Sequence, residues 1–177
     1  MSEIALWPVE TRDHSRGPTD APLTLVEYGD FECPYCSAAH AVVRDIERRF
    51  AGRLRFVFRQ FPLRRIHPHA EAAAEAAEAA AAQDRFWPMY DQLFEHSRVL
   101  RDAALHEYAQ AARVPDLERL DRELAEGRYR QELDEAIERA ESSGVEGTPA
   151  FFINGQPFED EPTYEALRAA LDAAAQN

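Results

Sequence analysis

The chain contains no lysine: all 20 of its basic residues are arginine, a preference that reads as coding bias rather than chemistry. Long apolar runs are also missing. The longest, an alanine-rich stretch near Ala72–Ala82, is broken by glutamates, and nothing approaches the ~20 apolar residues that span a bilayer. The start lacks the basic segment and apolar core of a secretory leader, because Met1–Trp7 runs into Pro8, Glu10 and Asp13. A cytoplasmic location is therefore expected. Positive charge is outweighed, with 33 acidic residues giving a formal net charge of −13, which argues against nucleic acid and membrane surfaces as partners. Cysteine is scarce, with only two residues. A bond between Cys33 and Cys36 would close too short a loop to add much stability, and two thiols fall short of a four-ligand zinc site. Chemistry is the better use for the pair.

The 177 residues fit one domain, or one domain carrying a large insertion. Leu23–Tyr28, bounded by Pro22 and Gly29, reads as a buried strand. Val42, Val43, Ile46 and Phe50 then recur at helical spacing up to Gly52, and Leu54–Arg59 reads as a second strand. Strand, helix and strand with short connections make a βαβ unit with parallel pairing. The middle differs. Ala70–Gln83 is nearly all Ala and Glu, strong helix formers. Asp84, Asp102 and Asp116 are expected N-caps, and Leu117, Leu120 and Leu124 form a stripe ending at Gly127. Tyr129, Leu133, Ile137 and Ala140 form another, so four or five helices are expected between about residues 68 and 143. Residues 66–146 hold 19 acids against 9 arginines, a net of −10 that leaves −3 elsewhere, a further sign of a separate unit. Strand character returns at Ala150–Ile153, Asn154-Gly155 is a hairpin turn into Gln156–Phe158, and Thr163–Ala175 is an amphipathic helix. The expected class is α/β, with a βαβ…ββα domain over 13–66 and 144–177 and a helical insertion over 67–143.

Disulfide exchange needs an exposed thiolate and a second thiol close enough to resolve the mixed disulfide. Cys33 follows a strand, and Pro34 suits the first position of a helix, which places Cys33 at the positive end of a helix dipole. Cys36, one turn on, is expected to lie deeper. The alternatives are an inert thiol pair or a metal site completed by a second chain. Thr148-Pro149 opens the later strand; a cis bond there would expose a backbone edge able to hold an extended substrate. Taken alone, Thr-Pro is a turn.

Two segments resemble the DsbA-like branch of the thioredoxin superfamily: Thr24–Cys36, which contains Glu27-Tyr28-Gly29-Asp30-Phe31-Glu32-Cys33-Pro34-Tyr35-Cys36, and Gly144–Gly155 around Thr148-Pro149. The helical block between them is similar to that branch's insertion. The resemblance implies a thioredoxin fold, Cys33 as nucleophile, Cys36 as resolving thiol and Thr148-Pro149 as a flanking cis-proline pair. Glu27 matches the position of an acidic residue in that family; such a carboxylate could relay a proton to or from Cys36, the alternative being an outward-facing strand residue. The dipeptide Pro34-Tyr35 is similar to that of glutaredoxins and unlike the Pro-His of the family's periplasmic oxidant, which leaves the redox potential open. Asp30 and Glu32 are expected to point into solvent; aimed at the sulfur, either would raise the thiol pKa. His67 and His69 are expected in capping and first-turn packing, and His40 as a surface or packing residue. Phe86, Trp87, Met89, Tyr90, Leu93 and Phe94 are expected to pack the insertion on the sheet.

The expected activity is thiol–disulfide exchange with protein or small-thiol substrates and a recycling redox partner, without bound cofactor or metal, with reduction or isomerisation favoured by a reducing cytosol. Two rivals are a glutathione-linked reductase and a non-catalytic metal-binding or chaperone module.

Overall fold

A computed structural model describes residues 6–176; the first five residues, on which the reading of the chain's start partly rests, lie outside the described residues. Strand β1 (His14–Arg16) is followed by β2 (Leu23–Gly29), helix α1 (Pro34–Arg49) and β3 (Leu54–Gln60). Five helices follow: α2 (Ala70–Ala81), α3 (Phe86–Glu95), α4 (Asp102–Ala111), α5 (Leu117–Glu126) and α6 (Arg130–Ser142). The chain closes with β4 (Ala150–Ile153), β5 (Gln156–Phe158) and α7 (Tyr164–Ala174).

The strands form one sheet in the order β1-β3-β2-β4-β5. β2 and β3 pair in parallel, as the βαβ reading requires, and β4 runs antiparallel to β2. Alternation along the strands gives the sheet two buried faces. Leu25, Phe56, Phe58, Phe151 and Ile153 join the larger core with residues of α1, α3 and α7. Val26, Tyr28, Val57 and Phe152 join a smaller cluster with Ala140 and Ile137 of α6. The α3 stripe packs on the first face as expected: Tyr90 meets Phe58 edge-on at 5.0 Å and Phe94 at 4.9 Å. Such contacts add about 0.5–1.5 kcal/mol each beyond area burial.

Local chemistry explains most boundaries. Asp116 caps α5, its carboxylate accepting from the Arg119 N–H, and Gly127 ends that helix in the left-handed region. Thr163 caps α7 through the Ala166 N–H, and Asn154 and Gly155, both at positive φ, make the expected hairpin turn. Two expected caps are corrected. Asp84 lies at φ 59° in the turn before α3, which Arg85 enters, and Asp102 is the first residue of α4 behind Arg101. A carboxylate before a periodic stretch serves a turn or a first helical position as readily as a cap. Strand β1 was not expected: its three polar residues pair antiparallel with Phe56–Phe58 at the sheet edge.

Candidate active site

Cys33 sits where β2 becomes α1. Its backbone is extended (φ −71°, ψ 120°), it occupies the N-cap without a side-chain capping bond, and Pro34 begins the helix. Its carbonyl accepts from the Ser37 N–H at 3.0 Å. No acid lies in the first helical turn, so the dipole is not offset there. Just upstream, Gly29 is required by close approach: a Cβ there would lie 2.4 Å from Cε2 of Phe58.

Both cysteines are free thiols. Cys36 is the deeper, as expected, but Cys33 is also nearly covered, at 2% exposure, where an exposed thiol was expected. The Thr148 carbonyl, which accepts from Cys33 Sγ at 3.5 Å, lies against it. Thr148-Pro149 is cis and half-buried. Tyr35, by contrast, is 74% exposed.

The two thiols are electrostatically unlike. Cys33 is lowered from 9.0 to about 5: the Cys36 side chain donates to its sulfur, and the Thr148 side chain and the N–H groups of Cys36 and Tyr35 add to this against the cost of burial. Cys36 is raised above the ordinary thiol range, first by burial, then by donating to Cys33 and by the Glu27 charge. A stable thiolate at Cys33 and a protonated thiol at Cys36 is the division of labour that attack and resolution require.

Glu27 is fully buried, its β2 position paired with Phe58 on one side and Phe151 on the other. Neither carboxylate oxygen has a hydrogen-bond partner among the described residues. Burial, reinforced by the Cys33 charge, raises its pKa from 4.5 to about 8. Of the two readings of Glu27, the inward one holds. Arg16 of β1, bound to Glu47 of α1 at 2.7 Å, partly offsets that rise. Sequence reasoning missed Arg16 because it missed β1.

The expectation for Asp30 and Glu32 is corrected. Neither points into solvent and both are bound elsewhere. Asp30 accepts from the Leu63 N–H and His67 Nδ1, each at 2.8 Å, and Glu32 accepts from the His69 N–H at 2.7 Å. His67 and His69 therefore partner the acids flanking Cys33 rather than capping a helix through their side chains. His40 is a packing residue, bonded to Asp91 at 2.9 Å and stacked on Phe94. Among the described residues, no group of three or more His, Cys, Asp or Glu could hold a metal ion.

Known proteins match this fold. A family model described as thioredoxin matches residues 10–173. Oxidised BdbD from Bacillus subtilis superposes with a TM-score of 0.87 at 20% identity, covering 98% of each chain. A thioredoxin-like oxidoreductase from Silicibacter pomeroyi gives 0.82 at 24% identity and 95% coverage of each chain. Wolbachia pipientis alpha-DsbA1 gives 0.83 at 18%, covering 97% of this chain and 94% of its own. In sequence, the chain is 47% identical over 163 residues to a protein named Na(+)/H(+) antiporter NhaA 1 from Salinispora arenicola, a match covering 92% of this chain and 25% of that protein. A like-named protein from Mycolicibacterium gilvum is 41% identical, covering 95% of this chain and 28% of its own. The chain thus spans about a quarter of the length of the curated relatives it matches. Sheet order, helical insertion and family match agree: the chain belongs to the thioredoxin family and carries the DsbA-like form of its fold.

Proposed function

We propose that the protein is a thiol–disulfide oxidoreductase working through Cys33 and Cys36. The observation that carries this reading is the contrast between the two thiols, one lowered to about 5 and the other raised by burial, on neighbouring turns of one helix start. Cys33 thiolate attacks a substrate disulfide, forming a mixed disulfide and releasing one substrate thiolate. Cys36 then loses its proton and attacks Cys33 Sγ; the second substrate thiolate leaves and a Cys33–Cys36 disulfide remains. Run backwards, the same steps oxidise a substrate dithiol. Glu27, whose raised pKa of about 8 lies near neutrality, is suited to take the Cys36 proton and return it. Tyr35 and the Thr148-Pro149 backbone flank the sulfur and supply contact for an extended protein substrate or a small-molecule disulfide. The dithiol itself carries the electrons, so no bound cofactor is needed, and a separate redox partner resets it.

The sequence favoured reduction or isomerisation because a cytosolic location was expected. The site weighs the other way. A Cys33 thiolate stabilised by the Cys36 thiol and the N–H groups at the helix start favours the dithiol form, which makes the disulfide readier to accept electrons. We therefore propose oxidation of substrate thiols as the favoured direction. Among the described residues no helix is long and apolar enough to cross a membrane, and we propose that this chain's redox unit is the segment it shares with the relatives named as antiporters.

Reduction of insulin disulfides by dithiothreitol, followed by turbidity, tests the reading. Wild type is expected to accelerate it and Cys33→Ser is not; equal rates would refute the enzyme. A strict requirement for glutathione would instead favour the glutathione-linked alternative suggested by Pro34-Tyr35.

A further inference from the structure

The cysteine loop carries two carboxylates within three residues of a thiolate, an arrangement that should raise a thiol pKa. The structure shows where that charge goes. Asp30 is 1% exposed; its Oδ1 accepts from the Glu32 N–H at 2.7 Å, and its Oδ2 accepts from the Leu63 N–H and His67 Nδ1, each at 2.8 Å. Its carbonyl accepts from the Cys33 N–H at 3.1 Å. Glu32 reaches the same segment two residues on: Oε2 accepts from the His69 N–H at 2.7 Å and Oε1 from His69 Nδ1 at 3.0 Å. Both acceptor sets end on residues 63–69, which join the sheet to the helical insertion. The Phe61 N–H, donating to the Gly29 carbonyl at 2.9 Å, adds a third tie at the base.

We propose that the Asp30–His67 and Glu32–His69 pairs position Cys33, clamping its loop to the segment between β3 and α2 and holding both carboxylates away from its sulfur. The inference rests on the redox reading of Cys33 but assigns four residues to it that the exchange chemistry does not touch. A neutral imidazole with its proton on Nδ1 can make each bond, so the clamp needs no positive charge on either histidine. The groups that face the Cys33 sulfur are then Cys36 from α1, Glu27 from β2 and Thr148 from the loop before β4. The acids of its own loop are turned toward the histidines. Breaking a pair removes the imidazole donor and loosens the carboxylate beside the thiolate, while the His69 N–H stays on Glu32 and the Leu63 and Glu32 N–H groups stay on Asp30.

The measurement is the pH dependence of Cys33 alkylation by iodoacetamide in the reduced full chain. The half-exposed Glu32–His69 pair gives the decisive arm, since substitutions there leave the core intact. His69→Ala removes the imidazole but keeps the backbone N–H on Glu32, and is expected to raise the alkylation midpoint by about half a pH unit. Glu32→Gln is expected to leave it unchanged, because that charge is already turned away, and the double variant to match Glu32→Gln. His67→Ala should move it in the same direction as His69→Ala. An unchanged midpoint in His69→Ala, a double variant that shifts as far as His69→Ala alone, or a large downward shift in Glu32→Gln would each overturn the clamp. Alkylation does not require catalysis. Failure of the redox reading would instead show in the insulin assay, with these midpoints free to behave as stated.

Discussion

At the scale of single residues, the site is built from groups whose surroundings oppose their ordinary ionisation. Glu27 binds a proton more tightly in the folded protein than in the unfolded chain, with a pKa raised to about 8. Its contribution to stability is therefore fully present below about pH 4.5 and lost as pH climbs through 8. Urea unfolding of the reduced protein should show Glu27→Gln gaining on wild type between pH 5 and pH 8, by at most about 1.4 kcal/mol per pH unit; a constant difference would count against a buried acid. The same substitution should change the pH profile of mixed-disulfide resolution, and an unchanged profile would remove its proposed role as proton acceptor. Thr148 makes a second test. Its buried Oγ1 has no hydrogen-bond partner among the described residues while Cys33 is a thiol and is a free donor for the thiolate, so Thr148→Val is expected to raise the alkylation midpoint by about half a pH unit. A midpoint equal to wild type would assign the lowering to Cys36 and the helix start alone. The cysteines, Pro34 and Thr148-Pro149 were legible because they are local signals. The burial of Glu27 was not, since Leu23–Tyr28 reads as a strand covered on both sides and alternation then carries no direction.

Among the elements, what the sequence showed and what it hid divide by length and polarity. Helices with periodic stripes, such as α5 with Leu117, Leu120 and Leu124, sit where spacing put them. Asp116 is a true cap, and Asp116→Ala should cost about 1 kcal/mol in a denaturant melt; Asp102→Ala, at a first helical position without a cap role, should cost less, and equal losses would contradict the distinction. The strand β1 escaped notice because three polar residues at a sheet edge hold no alternation to detect. With it went Arg16, the cation that tempers Glu27. The turning of Asp30 and Glu32 toward His67 and His69 depends on contacts 37 residues apart, and no local pattern encodes that pairing.

Across the whole molecule, a parallel βαβ start and an antiparallel β4 bring the Cys33 loop and Thr148-Pro149 together although 115 positions separate Cys33 from Thr148. The helical insertion closes over the sheet through the Phe58, Tyr90 and Phe94 contacts, and its approach segment carries the partners of the cysteine loop. A family placement follows from this architecture, and the chemistry follows from two thiols held in opposite ionisation states within it. Trapping tests that chemistry at its first covalent step. The reduced Cys36→Ser variant, mixed with a disulfide-containing protein, should accumulate a mixed disulfide through Cys33 that mass spectrometry detects and dithiothreitol releases. A Cys33→Ser variant should form none. Equal trapping by the two variants, or none by Cys36→Ser, would contradict Cys33 as the attacking thiol.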